Sequence, residues 1–482
     1  MSVEALGVLL NFRAEEKDRL DYVRRYVKGD HDLPYMPKGA RQEYKGIVAK
    51  SVANWLPLIP TVIAQNLFLE GYRNPEDVGE DGSKSVAQWA WEVWTANGME
   101  ARQSAVHRGA LTYGVHYAIV LPGEPVPVIR PASALNMTAV YDGEDDEWPI
   151  FAAKFSRAYA NGKMVRRVEL YDDTEIITYH GPTSDTRDAS AFTEVKRESH
   201  GMGVCPVVRF RNEWEDSEDE PIRGEVEPYI PIQDRLNETT LGLLMAQNYS
   251  AFIQKWVTGL AIPEDTNEFL SDGTTPNPNF GKPIEPFQSA VDRLFFSEDP
   301  ETKFGNFDQT DLSGFLASLE AGIKHLSAIA QIPPHYLLGA IANLSAEALA
   351  AAETGLTRKV GERKSLFGVS WAQVLRLVCI AAGKAADTSA VVLWRDAEAR
   401  SLASTVDAFG KLAQMLDVPK EALWERIPGV TMADVIAWRA LKEKQAEADP
   451  MAQLANKLAQ QGAELATTPA QPANGAPDGG NA

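Results

Sequence analysis

The sequence predicts an α+β fold, with helices toward both ends of the chain and an antiparallel sheet region between them. Three observations carry this. Residues 104–210 break into short runs rich in β-branched and aromatic side chains, separated by Gly, Pro, Asp and Asn. Residues 226–258 and 311–331 instead repeat their apolar side chains at helical spacing. Residues 261–308, between those helices, are rich in Pro, Gly, Asn and Asp, the composition of an irregular insertion.

From the N-terminus, residues 14–30 place Leu20, Val23, Tyr26 and Val27 at helical intervals, and "GDHDLPYMPKG" ends that helix. Residues 43–69 form a second helical stretch, interrupted at Pro57 and Pro60. Residues 85–97, "SVAQWAWEVWTAN", stack Trp89, Trp91 and Trp94 into a third, and a core role is the default for such indoles. From residue 104 the strand pattern takes over: "HYAIVLP", "VPVIRPA", "FAAKFSRAY", "RRVELYDD", "EIITYHG" and "VCPVVRFRN", largely hairpin-connected. His107 and His116, nine residues apart around the strand-like "GALTYGVHYAIV", read as packed residues rather than ligands.

Residues 226–258 set Tyr229, Ile232, Leu236, Leu243, Ile253 and Trp256 near one face. Pro228 and Pro231 fall in the first turns, where proline is tolerated. Such a helix would be ~45 Å long. In residues 311–331, Leu312, Phe315, Leu316, Leu319, Ile323, Leu326 and Ile329 follow helical spacing, with Asp311 as N-cap and Pro333 and Pro334 as the stop. The loop "HYLLGAIANL", 335–344, then leads to Ser345 and an alanine-rich helix over 346–360.

The 482 residues suffice for two to four domains. Lys and Arg total 47 against 67 Asp and Glu, a net charge of −20. That is the wrong sign for gripping nucleic acid, which needs basic side chains to release counterions. Cys205 and Cys379 lie far apart and read as buried thiols of a reducing compartment. The N-terminus lacks the features of a signal peptide, and no uninterrupted apolar run reaches the ~20 residues of a membrane helix. The chain is therefore read as soluble, made in the cytoplasm, with no membrane partner.

Chemical motifs are missing: there is no GxxxxGK[ST], HExxH, GxSxG or strand-following GxGxxG. The expectation is a protein that is not an enzyme, with no catalytic, metal-binding or cofactor-binding residue. The acidic cluster "DGEDDE", 142–147, lacks calcium-loop spacing and reads as a solvated turn between strands. "EWEDSEDE", 213–220, carries six acids in eight positions and stays in water by mutual repulsion.

Three segments together resemble one family. They are "RYVKGDHDLPYMPKGARQEYKGIVAKSVANW" at 25–55, "EVEPYIPIQDRLNETTLGLLM" at 225–245 and "IPPHYLLGAIANLSAEALAAAETGLTRKV" at 332–360. Their sequence and order resemble bacteriophage portal proteins of the SPP1-type branch, most like those of phages of actinobacteria. The resemblance spans roughly residues 20–440. It implies the portal fold: wing, two-helix stem, small clip insertion and helical crown. On this chain the wing would be 1–225, stem helix 1 226–258, the clip 259–310 and stem helix 2 311–334. A tunnel loop would follow at 335–344, a wing-spanning helix region at 345–385, a crown at 386–448 and a flexible tail at 449–482.

The resemblance further implies a ring homo-oligomer, usually a dodecamer, at one capsid vertex of the virion. Double-stranded DNA is packaged and ejected through its channel without sequence specificity. Partners would be the major capsid protein, the terminase packaging motor and the head–tail connector or adaptor proteins. The channel lining would be His335, Leu337, Leu338, Gly339, Ala340, Ile341, Ala342 and Asn343. The absence of Lys and Arg there suits a conduit that touches phosphates without holding them. Clip docking would fall to Asp265, Asn267, Asp272, Asn277 and Lys282. Two other readings stand beside this one: a metal-dependent hydrolase using the acids of 142–147, and a monomeric virion adaptor.

Overall fold

The structure, a computed structural model, describes residues 2–36, 42–74, 85–143, 146–160, 162–214, 220–251, 255–259, 264–283, 300–306, 311–339, 346–395, 402–424, 427, 430 and 432–448. The chain begins with α1 (Ser2–Val27), α2 (Gln42–Lys50), α3 (Leu58–Gln65), β1 (Leu69–Arg73), α4 (Val86–Ala96) and α5 (Met99–Tyr113). Eight strands follow: β2 (Val115–Leu121), β3 (Val128–Ser133), β4 (Met137–Val140), β5 (Phe151–Ala160), β6 (Lys163–Tyr171), β7 (Glu175–Gly181), β8 (Thr193–Ser199) and β9 (Val207–Arg211). Then come α6 (Ile230–Ala251), β10 (Lys255–Thr258), β11 (Lys303–Asn306), α7 (Ser313–Ala330), α8 (Pro334–Leu338) and α9 (Ala346–Ala381). The last elements are β12 (Val391–Trp394), α10 (Leu402–Met415), α11 (Lys420–Trp424) and α12 (Met432–Ala448).

Two compact units divide the chain. Unit 1 takes Met1–Lys17, Thr61–Gly224 and Arg358–Ala482; unit 2 takes Asp18–Pro60 and Glu225–Thr357. Unit 1 contains the antiparallel sheet β4-β5-β6-β7-β8, the sheet β3-β2-β9 and the pair β1-β12. Side chains alternate across a strand, so one face of the five-stranded sheet collects Ala153, Phe155, Val168, Leu170, Ile177 and Tyr179. Leu6, Leu9 and Leu10 of α1 and Phe192 close over that face. A second core gathers aromatics: Trp94 and Phe210 meet the Trp371 ring edge-on at centroid distances of 4.6 and 4.5 Å. The core role expected of the tryptophans holds for Trp94, which is fully buried. Both cysteines are buried free thiols.

Unit 2 is built on α6 and α7. Glycines face large side chains where these helices meet. A Cβ on Gly322 would lie 2.6 Å from Leu236, and one on Gly242 would lie 2.9 Å from the Phe315 ring. Beside them is a buried polar clasp. Gln233 and Asn237 are wholly buried on α6. Gln233 receives the Trp55 backbone N–H at 3.0 Å and donates to the Ala53 carbonyl at 2.6 Å. Asn237 Nδ2 donates to His31 Nδ1 at 2.9 Å, which leaves His31 Nε2–H to donate to the Tyr26 carbonyl at 3.0 Å. The Tyr26 hydroxyl donates to Asp234 at 2.8 Å.

Several sequence expectations need correction. The first helix starts at Ser2, because Leu6, Leu9 and Leu10 already bury one face. The second helical stretch is two short helices, and from Leu69 the chain is strand β1. Residues 99–113 are helix α5, so His107 lies on a helix and only His116 on a strand. The break is Gly114, at φ +87°, where any Cβ would strike the Ile222 carbonyl oxygen at 2.0 Å.

The helix expected over 226–258 ends at Ala251, after a 3-10 turn at Glu227–Tyr229; its 22 residues span ~33 Å. Lys255–Thr258 is a strand paired with Lys303–Asn306, and the Trp256 ring lies where a side chain on Gly305 would clash. Ile253 is outside the described residues. Asp311 sits one place before the N-cap of α7, where its carboxylate accepts the Ser313 N–H at 2.9 Å and hydroxyl at 2.8 Å. Strands β4 and β8 were not expected, and the span 386–448 opens with strand β12 before its helices. The tail 449–482 lies outside the described residues. Ala351–Ala381 is, by length and composition, long and apolar enough to cross a membrane; half of its most apolar window is buried inside the protein, as in a core helix.

Candidate functional site

The segment after α7 is shaped by local backbone geometry. Gln331 adopts a left-handed conformation at φ 56°, and the Ile332 N–H returns to the Ser327 carbonyl at 3.0 Å. Pro333 and Pro334 then do not merely stop a helix. Proline tolerates the first helical position, and Pro334 opens the short helix α8. Gly339, at φ +66°, caps it through an N–H bond to the His335 carbonyl at 3.0 Å.

Thus His335, Leu337 and Leu338, expected in a loop, form a helical turn. Their exposure differs. Gly339 is exposed, and His335 and Leu338 are half-buried. Leu337 is 7% exposed, so its side chain packs inward and does not line an open surface. Tyr336, passed over in the sequence, is 41% exposed beside the His335 ring at 4.5 Å. Its hydroxyl pKa is raised, first by burial and then by the Glu353 carboxylate. The aromatic type at that position is the signal that would have found it. Ala340, Ile341, Ala342 and Asn343 lie outside the described residues.

The five expected clip residues belong to a loop that ties itself together, 264–283. Asp265 accepts the Asn267 N–H at 3.0 Å and the Asn277 Nδ2–H at 2.9 Å. Asn277 Nδ2 also donates to the Asn267 carbonyl at 2.9 Å. Asp272 accepts the Thr275 hydroxyl at 2.5 Å and then the N–H groups of Thr275 and Thr274, which lowers its pKa to about 2. The Lys282 carbonyl accepts the Asp265 N–H at 2.9 Å. The polar side chains Asp265, Asn267, Asp272 and Asn277 therefore hold the loop's shape, while Phe269, Leu270 and Phe280 are exposed along it. Sequence reasoning favoured the polar residues and missed these three.

Two of the described acids of 142–147, Asp146 and Glu147, are also engaged. Asp146 accepts the Gly143 N–H at 2.8 Å, and Glu147 takes a charge-assisted bond from Arg376 Nε at 2.9 Å. Glu144 and Asp145 lie outside the described residues. Among the described residues no three His, Cys, Asp or Glu converge as metal ligands would. Burial keeps His107 and His116 neutral, lowering them to about 3 and about 4. His107 Nδ1–H donates to the Leu67 carbonyl at 3.1 Å, and its Nε2 accepts the Trp371 indole N–H at 2.7 Å. These two histidines serve packing.

Among the described residues, the polar groups of these segments bond chiefly to the chain's own backbone and turns. The comparisons are specific. Residues 6–450 match the family described as "Phage portal protein, SPP1 Gp6-like", and the chain belongs to that family. It is 26% identical over 370 residues to a portal protein of Mycobacterium phage D29, covering 73% of this chain and 70% of the relative. A portal protein of Mycobacterium phage L5 is 26% identical over 371 residues with the same coverage. Among solved structures, a chain of the virion of a native gene transfer agent particle aligns with a TM-score of 0.43 and 12% identity. That alignment covers 85% of this chain and 98% of the other.

Proposed function

We propose that this chain is the subunit of a closed ring at the portal vertex of a virion, through which double-stranded DNA is packaged and ejected. The observation that carries the reading is the family match over residues 6–450. The unit is proposed to be itself a homo-oligomer, a dodecamer as in the family resemblance. Heterologous contacts close into a ring only when the rotation per subunit divides the circle. Uncovered apolar side chains on α7 support it: Leu316 and Ile329 are 54% and 58% exposed.

Within that reading α6 and α7 are the stem, and the loop 264–283 with the β10–β11 pair is the clip. The clip would be the docking platform for the packaging motor and the connector proteins, and the wing would meet the major capsid protein. The turn between α7 and α9 would face the DNA. What supports this last assignment is its charge: residues 332–352 hold no Lys or Arg and a single acid, Glu347. Each basic contact to a phosphate would add salt-dependent affinity and slow translocation.

Negative-stain microscopy with native mass measurement tests the proposal. Rings with a central hole are expected. A protein that stays monomeric across micromolar concentrations and moderate salt would count decisively against it. The hydrolase reading would instead need a divalent-cation-dependent activity that disappears in Asp145→Ala.

A further inference from the structure

The core-facing row of the β5–β6 hairpin runs past the end of its cover. Cross-strand partners along that row are Ala153 with Leu170, then Phe155 with Val168, both packed under α1. Two residues further on, Arg157 stands opposite Arg166. Arg166 is buried, lies over the Phe155 ring at 5.0 Å and pairs with Asp185 at 3.1 Å, closing the core. Beyond this plug the row continues with Tyr159 opposite Met164, and these are 73% and 53% exposed. An apolar pair in register with the core is thus left in the open.

Its surroundings are basic. Lys154, Arg157, Lys163, Arg166 and Arg167 fall between residues 151 and 168, with no acid among them, in a chain of net charge −20. Arg166 and Arg167 are engaged, with Asp185 and Glu169. Arg157 is exposed on the same face as the Tyr159–Met164 pair, and Lys163, next to Met164 in the chain, is exposed on the opposite face of the hairpin tip; among the described residues neither forms an ion pair. Elsewhere the chain has the opposite segment, 213–220, with six acids and one aromatic residue, Trp214, which is 54% exposed.

We propose that the β5–β6 hairpin tip is one half of a contact between neighbouring copies, and that its occupant is the acidic segment 213–220 of the adjacent subunit. The inference rests on the ring reading. A heterologous ring contact requires two different elements on each subunit; by sequence this chain carries a basic hairpin and an acidic segment, residues 215–219 of which lie outside the described residues. Subunits of net charge −20 repel one another, so assembly needs a local attraction at the contact. The apolar pair supplies burial, and Arg157 and Lys163 supply orientation and charge. Nucleic acid fits the hairpin less well, because the rest of the chain repels it.

The test uses the full chain. One variant carries Arg157→Glu and Lys163→Glu; the other carries Glu215→Lys, Asp216→Lys, Glu218→Lys and Asp219→Lys, which takes the segment from a charge of −6 to +2. Each alone sets like charges against each other at the contact, and the concentration for half-assembly should rise by about tenfold or more. An equimolar mixture should restore assembly, because each defective surface then finds its complement on the other variant. Wild-type assembly should weaken with added salt, which shortens the screening length to ~3 Å at 1 M. Circular dichroism monitors folding, and the milder Arg157→Ala with Tyr159→Ser is read in the same assay should a reversal unfold. Wild-type rings with variants that assemble normally, or a mixture that restores nothing, overturn the contact alone. A monomeric wild type overturns the ring and the contact together. A hairpin variant that assembles normally yet loses DNA retention reassigns the hairpin to nucleic acid and ends the proposal.

Discussion

Replacing Asn237 by leucine removes one amide on which three groups depend, the buried His31 and Gln233 side chains and the half-buried Ala53 N–H. Its Nδ2–H serves His31 Nδ1 at 2.9 Å, and its Oδ1 accepts from Gln233 Nε2 at 2.9 Å and the Ala53 N–H at 3.4 Å. Gln233 keeps its bond to the Ala53 carbonyl at 2.6 Å, so it is not stranded. His31 Nδ1 and the Ala53 N–H are. Each buried orphan costs about 1–3 kcal/mol, and the added apolar burial of leucine returns about 1–2 kcal/mol. The net expectation is a loss of about 3 kcal/mol, equivalent to a melting temperature about 6–12 °C lower for a unit of this size. The matched control is Asn248→Leu on the same helix, where the amide is exposed and bonds only its own turn at Leu244. That change should cost under about 0.5 kcal/mol. Urea unfolding and differential scanning of the two variants decide the matter. Equal losses, or a loss below about 1 kcal/mol at Asn237, would refute the clasp.

Three further outcomes are expected. His107 and His116 bind protons only near pH 3 and 4 when folded, against 6.5 when unfolded, so the stability they contribute is complete above pH 6.5 and falls as pH drops. At pH 5 each should cost roughly 2 kcal/mol, and His116→Gln should remove about half of the urea-measured difference between pH 7.5 and 5. Lysine at Ala340 and Asn343 should raise DNA retention by isolated rings and steepen its salt dependence, by about −0.9 in log–log slope per phosphate neutralised, with assembly unchanged. A large fall in melting temperature without altered DNA binding would place those residues in a buried corner instead. Deleting residues 265–300 should leave rings intact while abolishing attachment of motor and connectors, and failure to form rings would make that segment an assembly element.

What was legible in the sequence was periodic. α4, α7 and the strands β2, β3, β5, β6, β7 and β9 announce themselves by spacing and by the turn residues between them. What was not legible depended on distant partners. β12 is a strand because β1, more than 300 residues earlier, supplies its hydrogen bonds: Trp394 faces Leu69. β8, "TEVKRES", is exposed at every position and so has no alternation to read. Gln233 and Asn237 look like the solvent face of a helix until the backbone of residues 53–55 is seen folded over them. At the candidate site, the absence of cations could be read directly. The inward turn of Leu337 could not, since it follows from a proline-started turn that the linear pattern does not encode.

The pairing of β1 with β12 also dictates an order of events during synthesis. All residues of unit 2 have been made once residue 357 leaves the ribosome, whereas unit 1 still lacks Arg358–Ala482. The edge of β1 must wait through more than 300 residues of translation for its partner, and α5 waits nearly as long for Trp371. Until then it is an open strand edge, the kind of surface that mispairs. A chain broken off before residue 391 keeps that edge bare and its aromatic cluster unsealed by Trp394.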